Sequence, residues 1–383
     1  MARRPASRSD ISPFHVMEVM RAAEQREASG AEVLHLEVGQ PSTPAPKGVI
    51  AAAHRALDED VLGYTTAGGI QPLRQRISDH YASWYGVDVD PDRVVVTIGA
   101  SGAFVTAFLA AFEPGDRVVV PSPGYPCYRN ALQALGVEVV DLLTTLDTRF
   151  QPTPELLETL GRIDGLVLAS PSNPAGTMLD SAAMAAIAGW CAEHDVQLIS
   201  DEIYHGITYG ESAATALTTD PDVIVVNSFS KYFSMTGWRL GWMICPPRFL
   251  DAVTRISQNV TISAPTLSQV AAVAAFDCHD ECRANIERYA ANRRVLLDGL
   301  PVAGLDRLAP ADGAFYIYAD VSHLTDDASA LCTTWLDELG IAATPGIDFD
   351  PTRGHQYVRF SFAGATADME EAVTRLQAWA AQP

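Results

Sequence analysis

Seven short apolar or β-branched runs recur from about residue 90 onward: Val94–Thr97, Val118–Pro121, Val137–Val140, Leu166–Ala169, Val196–Ser200, Val223–Val226 and Leu240–Ile244. Helical stretches such as Ala100–Phe112, Pro154–Leu160 and Ala182–His194 lie between several of them. Runs this uniformly apolar are strands buried on both faces, and alternation with helices predicts a mostly parallel α/β sheet. Ahead of this region, Ile11, Phe14, Met17 and Met20 recur at helical spacing, so the N-terminus reads as an arm ending in an amphipathic helix. A short strand, Val33 to Gly39, is broken by Gly-Gln-Pro. Pro41 to Pro46 reads as a linker and Gly48 to Leu57 as a helix. Pro265–Ala275 and Arg283–Leu300 are two further helices. The chain then changes to short strands (Phe315–Tyr318, Tyr357–Phe362) and helices (Ser329–Leu339 and from Ala367), an α+β texture that suggests a second, smaller domain.

In such a sheet, ligands sit just beyond the carboxyl ends of the strands. The run Val223–Val226 leads into Ser228, Ser230 and Lys231, with Arg239 eight residues later; Lys231 is the only lysine after Lys47. A lone lysine at a buried strand end is placed where desolvation favours the neutral, nucleophilic amine. Hydroxyls and a guanidinium beside it suit a phosphate. Amine plus phosphate site points to an aldehyde cofactor held as a Schiff base, the chemistry of pyridoxal phosphate. Other strand ends add to this. Gly99-Ala100-Ser101 opens a helix, whose N-terminal N–H groups bind phosphate; the spacing does not match a dinucleotide fingerprint. Tyr125 can stack on a flat ring, Asn173 can donate to a phenolate oxygen, and Asp201 is either a helix cap or the partner of a pyridinium nitrogen. Tyr204, three residues on, could reach the ring oxygen or the lysine.

Composition narrows the classes. At 383 residues the chain is long enough for about two domains. A net charge of −21 argues against nucleic acid and anionic membranes as partners. No apolar run reaches membrane-spanning length, and the basic N-terminus has no apolar segment behind it, so it does not read as a secretory signal. The six cysteines lack C-x-x-C spacing, and Cys278 and Cys282 lack a second ligand pair, so thiols in a reducing cytoplasm are expected and no metal site.

The chain resembles the class I and II aminotransferases of pyridoxal-phosphate fold type I, in particular the bacterial aspartate and aromatic branch. The resemblance rests on Leu36-Glu-Val-Gly39-Gln-Pro, Tyr64-Thr-Thr-Ala-Gly-Gly-Ile-Gln-Pro-Leu-Arg74, Asn173-Pro-Ala-Gly176, Ser200-Asp-Glu-Ile-Tyr204, Ser228-Phe-Ser-Lys231 with Thr236-Gly-Trp-Arg-Leu-Gly241, Gly313-Ala-Phe-Tyr316 and Val358-Arg359-Phe-Ser. It implies a large domain at 48–289 with a mostly parallel seven-stranded sheet, a smaller α+β domain at 290–383, and an arm at 1–47 that joins it. It implies that Lys231 forms the internal aldimine and later moves the substrate proton, that Asp201 pairs the ring nitrogen, that Asn173 and Tyr204 hold the ring oxygen, and that Tyr125 stacks. Ala100, Ser101, Ser228, Ser230 and Arg239 would bind the phosphate, and Tyr64 that of a neighbouring subunit in a homodimer. Arg359 would take the substrate carboxylate, with the Gly39 backbone nearby.

The implied reaction is ping-pong transfer of an amino group from an L-amino acid to a 2-oxo acid. A carbon–sulfur β-lyase on the same cofactor is the alternative; a non-catalytic regulator is a distant one, because only about 30 residues precede the first strand. No second cation for a distal carboxylate stands in a motif. Arg21, Arg129 and Arg353 are the arginines to test, while Ile11, Phe14, Tyr64 and Tyr125 suggest a pocket tolerant of apolar side chains.

Overall fold

The computed structural model describes residues 4–382; residues 1–3, part of the basic N-terminal stretch, and residue 383 lie outside it. Its elements in order are α1 (His15–Ala28), β1 (Leu34–His35), α2 (Lys47–Glu59), α3 (Gln71–Tyr85), β2 (Val94–Thr97), α4 (Gly99–Ala111), β3 (Arg117–Ser122), α5 (Pro126–Leu135) and β4 (Glu138–Leu143). There follow α6 (Pro154–Glu158), β5 (Gly165–Ala169), α7 (Ser181–Glu193), β6 (Gln197–Asp201), β7 (Ile224–Ser228), β8 (Gly241–Ile244), α8 (Pro247–Val260), α9 (Thr266–Ala272) and α10 (His279–Gly299). The chain closes with β9 (Tyr316–Asp320), α11 (Ala328–Thr334), β10 (Ile341–Ala342), β11 (Thr344–Pro345), β12 (Tyr357–Ser361) and α12 (Thr366–Ala380).

The seven expected strands form one sheet in the order β2-β8-β7-β6-β5-β3-β4. Pairings from β4 through β7 are parallel, whereas β8 is antiparallel to both β7 and β2. Strands β2, β7 and β8 are buried along their whole length, which is why they read as unbroken apolar runs. Edge strand β4 is mostly exposed or half-buried. Successive strands add outward from β3 in opposite directions, so the order reverses between β3 and β5. The crevice at that reversal is where open α/β sheets bind ligands.

A second sheet, β11-β12-β9, is antiparallel, and β1 pairs in parallel with β10 through Leu34↔Ile341. The N-terminal segment is thus built into the C-terminal part of the chain. Three helices were not expected from the sequence: α3, α5 and α8. Each carries proline in its first turn (Pro72, Pro126, Pro247). Ile11 and Phe14 precede α1 rather than belonging to it.

Candidate active site

One cavity of about 590 Å³ gathers residues from the ends of β5, β6 and β7, the start of α4, the segments 14–20 and 38–40, and the two residues Tyr316 and Arg359. Of the expected site residues, Gly39, Ala100, Ser101, Tyr125, Asn173, Asp201, Tyr204, Ser228, Ser230, Lys231, Arg239 and Arg359 all line it. Tyr64 does not, and is 84 % exposed. Phe14 also lines the cavity, joined by Val16, Met17, Met20 and Val38, but Ile11 does not. The lining carries three cations, Lys231, Arg239 and Arg359, against one carboxylate, Asp201. In a chain of net charge −21 this local reversal of sign draws anions.

Arg239 lies against the start of α4. A Cβ on Gly99 would meet its Nη2 at 2.6 Å, so this approach needs glycine there, and one on Gly241 would meet the Ala100 nitrogen at 2.9 Å, so β8 packs against the start of α4 only with glycine at 241. Gly99 also has φ +64°, a conformation that suits glycine. The helix has no side-chain cap. Its open N–H groups, the Ser101 hydroxyl and a guanidinium without an acidic partner among the described residues converge on one spot. Ser228 Oγ donates to Ser230 Oγ (2.9 Å), which brings both hydroxyls together beside it. A dianionic phosphate fits this cradle.

Asp201 ends β6 and is buried. Burial pushes its carboxyl up to about 6, opposed by hydrogen bonds from the Tyr128 hydroxyl and the Ile203 N–H and by the Lys231 charge. Tyr128 was not anticipated. It lies in the first turn of α5, three residues beyond Tyr125, so both rings face the site. Lys231 donates to the Gly39 carbonyl. Burial, helped by the Arg359 and Arg239 charges and opposed by Asp201, lowers its pKa to about 8, so a useful fraction is the neutral amine near pH 7.

Arg359, on β12, is buried and makes no ion pair among the described residues. Its Nη1 donates to Asn173 Oδ1 at 2.9 Å and its Nη2 to the Glu37 carbonyl and to Thr344 Oγ1. Its Nε is buried without a partner among the described residues. Tyr316 and Phe349 flank the guanidinium, with ring centroids 4.4 and 4.8 Å from Cζ. Because Asn173 gives its oxygen to Arg359, its amide nitrogen is left to donate elsewhere. Tyr204 shares a hydrogen bond of 2.7 Å with Tyr316.

Two of the three other candidate arginines are occupied elsewhere. Arg353 binds Asp350 and the carbonyls of Ser122 and Thr144, and Arg129 pairs with Asp141. Neither of these two, nor Arg21, lines the cavity.

The model of the family described as "Aminotransferase class I and II" matches residues 31–376. The chain belongs to the class I and II aminotransferases. It is 50 % identical to valine–pyruvate aminotransferase of Mycobacterium tuberculosis, over 99 % of both chains. It is 32 % identical to aspartate/prephenate aminotransferase of Thermus thermophilus, over 95 % of each. A crystal structure of an aminotransferase from M. tuberculosis superposes with a TM-score of 0.97 at 50 % identity, covering 99 % of both chains. T. thermophilus aspartate aminotransferase with maleate gives 0.92 at 30 % identity, covering 98 % of this chain and 100 % of that one. The protein is therefore an enzyme of amino-group transfer with an α/β fold of the pyridoxal-phosphate type I class, and its substrates are amino acids and oxo acids. Neither β-elimination nor a purely regulatory role is favoured by these relatives.

Behind Arg359, the Glu37 side chain is buried and accepts from His35 Nδ1 at 2.8 Å. That bond is the main reason the His35 pKa rises from 6.5 to about 9; burial opposes it, and Glu27 adds to it. A pKa raised by folding gives stability that is complete below about 6.5 and lost as pH rises through 9. Melting temperature is therefore expected to fall between pH 7 and pH 10 more steeply in the wild type than in His35→Gln.

Proposed function

We propose that this aminotransferase takes its amino group from a neutral L-amino acid with an apolar side chain, of the valine class, and passes it to a small 2-oxo acid such as pyruvate in a ping-pong cycle. The observation that carries this is the cavity's inventory. Among the described residues that line the cavity, Arg359 is the one cation left to grip the substrate carboxylate once Lys231 and Arg239 are assigned to the cofactor. The wall of Phe14, Val16, Met17, Met20 and Val38 offers a side chain nothing charged. The name of the M. tuberculosis relative points the same way.

The family is pyridoxal-phosphate-dependent, and the residues present fit that group. Arg239, Ser101, Ser228, Ser230 and the Ala100 N–H would hold its phosphate, Tyr125 would stack on its ring, and Asn173 and Tyr204 would face the ring oxygen. When bound, pyridoxal phosphate supplies an aldehyde that captures amines and a ring that accepts the electron pair from substrate Cα. Lys231 would hold the aldehyde covalently and, once displaced by substrate, would take the proton from Cα. Asp201 would keep the ring nitrogen protonated. Arg359 would fix the substrate carboxylate by a two-point pair and so turn Cα–H toward Lys231.

Tyr128 supports Asp201 in this scheme. Tyr128→Phe removes a hydrogen bond to a buried carboxylate worth about 1.5–3 kcal/mol, raising the Asp201 pKa further above about 6. The acid limb of the kcat profile is expected to move to higher pH, with amino transfer near pH 6.5 down by about tenfold.

We also propose a homodimer. Leu57 near the end of α2, Val61 and Tyr64 on the loop after it, and Val260 and Ile262 at the end of α8 and just beyond are exposed, and α9 holds that first loop through Thr266 Oγ1 to the Gly63 carbonyl (2.6 Å) and Gln269 Nε2 to Thr65 Oγ1 (3.0 Å). A second copy would cover this patch and receive Tyr64 at its phosphate cradle. Residues 48–289 are taken as the large domain, 290–383 as the small one, and 1–47 as an arm shared with it. A cytoplasmic location agrees with six free thiols; no helix among the described residues is long and apolar enough to cross a membrane.

The deciding experiment is an absorbance titration of the pyridoxal-phosphate-loaded protein with a panel of L-amino acids and no acceptor. Conversion to the pyridoxamine band by valine, but not by aspartate or glutamate, is expected. Ready conversion by aspartate would overturn the donor assignment, and pyruvate released from β-substituted amino acids without acceptor would revive elimination.

A further inference from the structure

The apolar wall and the carboxylate grip are fastened to each other by one side chain. Helix α1, which carries Val16, Met17 and Met20, has no side-chain cap from the residue before it. Its first two N–H groups, those of His15 and Val16, donate instead to the two carboxylate oxygens of Asp348, both at 2.7 Å. A helix start presents unpaired donors and partial positive charge, so a buried two-oxygen anion matches it.

Asp348 in turn is bound to the strand of Arg359. Thr344 of β11 pairs with Arg359 across the sheet, and its Oγ1 accepts from Arg359 Nη2 at 3.3 Å. Pro345 and a single turn, Gly346–Asp348, follow. The next residue, Phe349, is one of the two rings against the Arg359 guanidinium. A five-residue path, 344–348, therefore runs from the grip on the substrate carboxylate to the anchor of the wall. The same anchored end holds Phe14, whose ring meets Tyr125 edge-on at 6.1 Å.

We propose that Asp348 is a specificity-determining positioning residue. By holding the start of α1, it sets the spacing between Arg359 and the wall of Phe14, Val16, Met17 and Met20, and so selects the size of the amino-acid side chain. The inference rests on the reading that the donor is apolar. It goes beyond that reading in naming a residue that touches neither substrate nor cofactor. A bound amino acid is fixed at its carboxylate by Arg359 and at Cα by the reaction geometry, so its side chain meets the wall at one distance only. Releasing α1 at its anchored end weakens contact with a branched side chain, while alanine, too short to reach the wall, loses little.

The test measures the half-reaction without acceptor for L-alanine and L-valine in the wild type, Asp348→Ala and Asp348→Asn. Affinity for pyridoxal phosphate is recorded alongside. In Asp348→Ala the valine-to-alanine ratio of specificity constants is expected to fall about tenfold or more, through half-saturation rather than maximal rate, with cofactor affinity unchanged. Asp348→Asn keeps one acceptor oxygen and loses the charge, so its ratio falls by about threefold. Equal losses for both amino acids, or an unchanged ratio, would mean a merely structural cap and overturn the proposal. If Asp348→Ala does not fold, the Asp348→Asn ratio decides alone, by the same criterion. A wild type that fails to use valine overturns the donor assignment instead, and does so before any variant is compared.

Discussion

Replacing Lys231 by alanine lowers amino transfer by about four orders of magnitude or more, because one amine has two duties in the proposed chemistry. It is the nucleophile that would hold the cofactor and the base that would move the Cα proton; general acid–base contributions alone reach about 10²–10⁴-fold. Burial and two neighbouring arginines lower its pKa to about 8, which makes it competent for both near neutrality. The phosphate cradle does not involve the lysine, so the variant is expected to retain pyridoxal phosphate non-covalently. Borohydride treatment followed by mass spectrometry then separates the two forms. The wild type keeps a covalent adduct after denaturation, and Lys231→Ala releases the cofactor. An adduct surviving in the variant would place the attachment elsewhere.

Arg359→Ala is the second large effect. The guanidinium is buried between Tyr316 and Phe349, with an Nε that has no partner among the described residues. Losing one member of a buried charge pair costs about 3–5 kcal/mol, so kcat/KM for amino acids falls by about 10²–10³-fold or more, mostly in KM. Amines without a carboxylate provide the control. Their slow half-reaction should be nearly unchanged, since Arg359 has nothing to grip. Arg359→Lys recovers little, because an ammonium cannot reproduce the fork or lie flat between two rings. Equal losses for amino acids and simple amines would show that Arg359 serves the structure rather than the carboxylate.

The parts of the fold legible in the sequence were those where burial is complete. Strands such as Val94–Thr97 and Val223–Val226 announce themselves because both faces are covered. The two-residue strands β10 and β11 carry too little pattern to be seen, although β11 positions Arg359, whereas β1 was legible within the longer run Val33 to Gly39. Helices α3, α5 and α8 were missed although each carries proline in its first turn, where the missing N–H costs nothing, as does the helix that was read at Pro154–Leu160. That omission carried into the site: without α5, Tyr128 cannot be placed three residues beyond Tyr125 on the same helical face. Asp348 escaped for a different reason. Its partners are backbone N–H groups more than 330 residues away, a relation that no local spacing encodes. The cavity residues that were legible, from Ser101 to Lys231, sit at strand ends, where chemistry and local pattern coincide.

The parallel pairing of Leu34 with Ile341 bears on how the chain is made. A ribosome adding roughly 5–20 residues per second exposes the first strand some 15–60 s before its partner exists. During that interval the large sheet, whose strands lie between Val94 and Ile244, can already close around Lys231 and Asp201. The N-terminal arm, holding one wall of the cavity, stays without its partner strand until residues 341–342 have been made. A nascent chain stalled before residue 341 would therefore contain Lys231, Asp201 and the proposed phosphate cradle and lack Arg359. The order of synthesis thus separates assembly of the proposed cofactor site from assembly of the proposed grip on substrate.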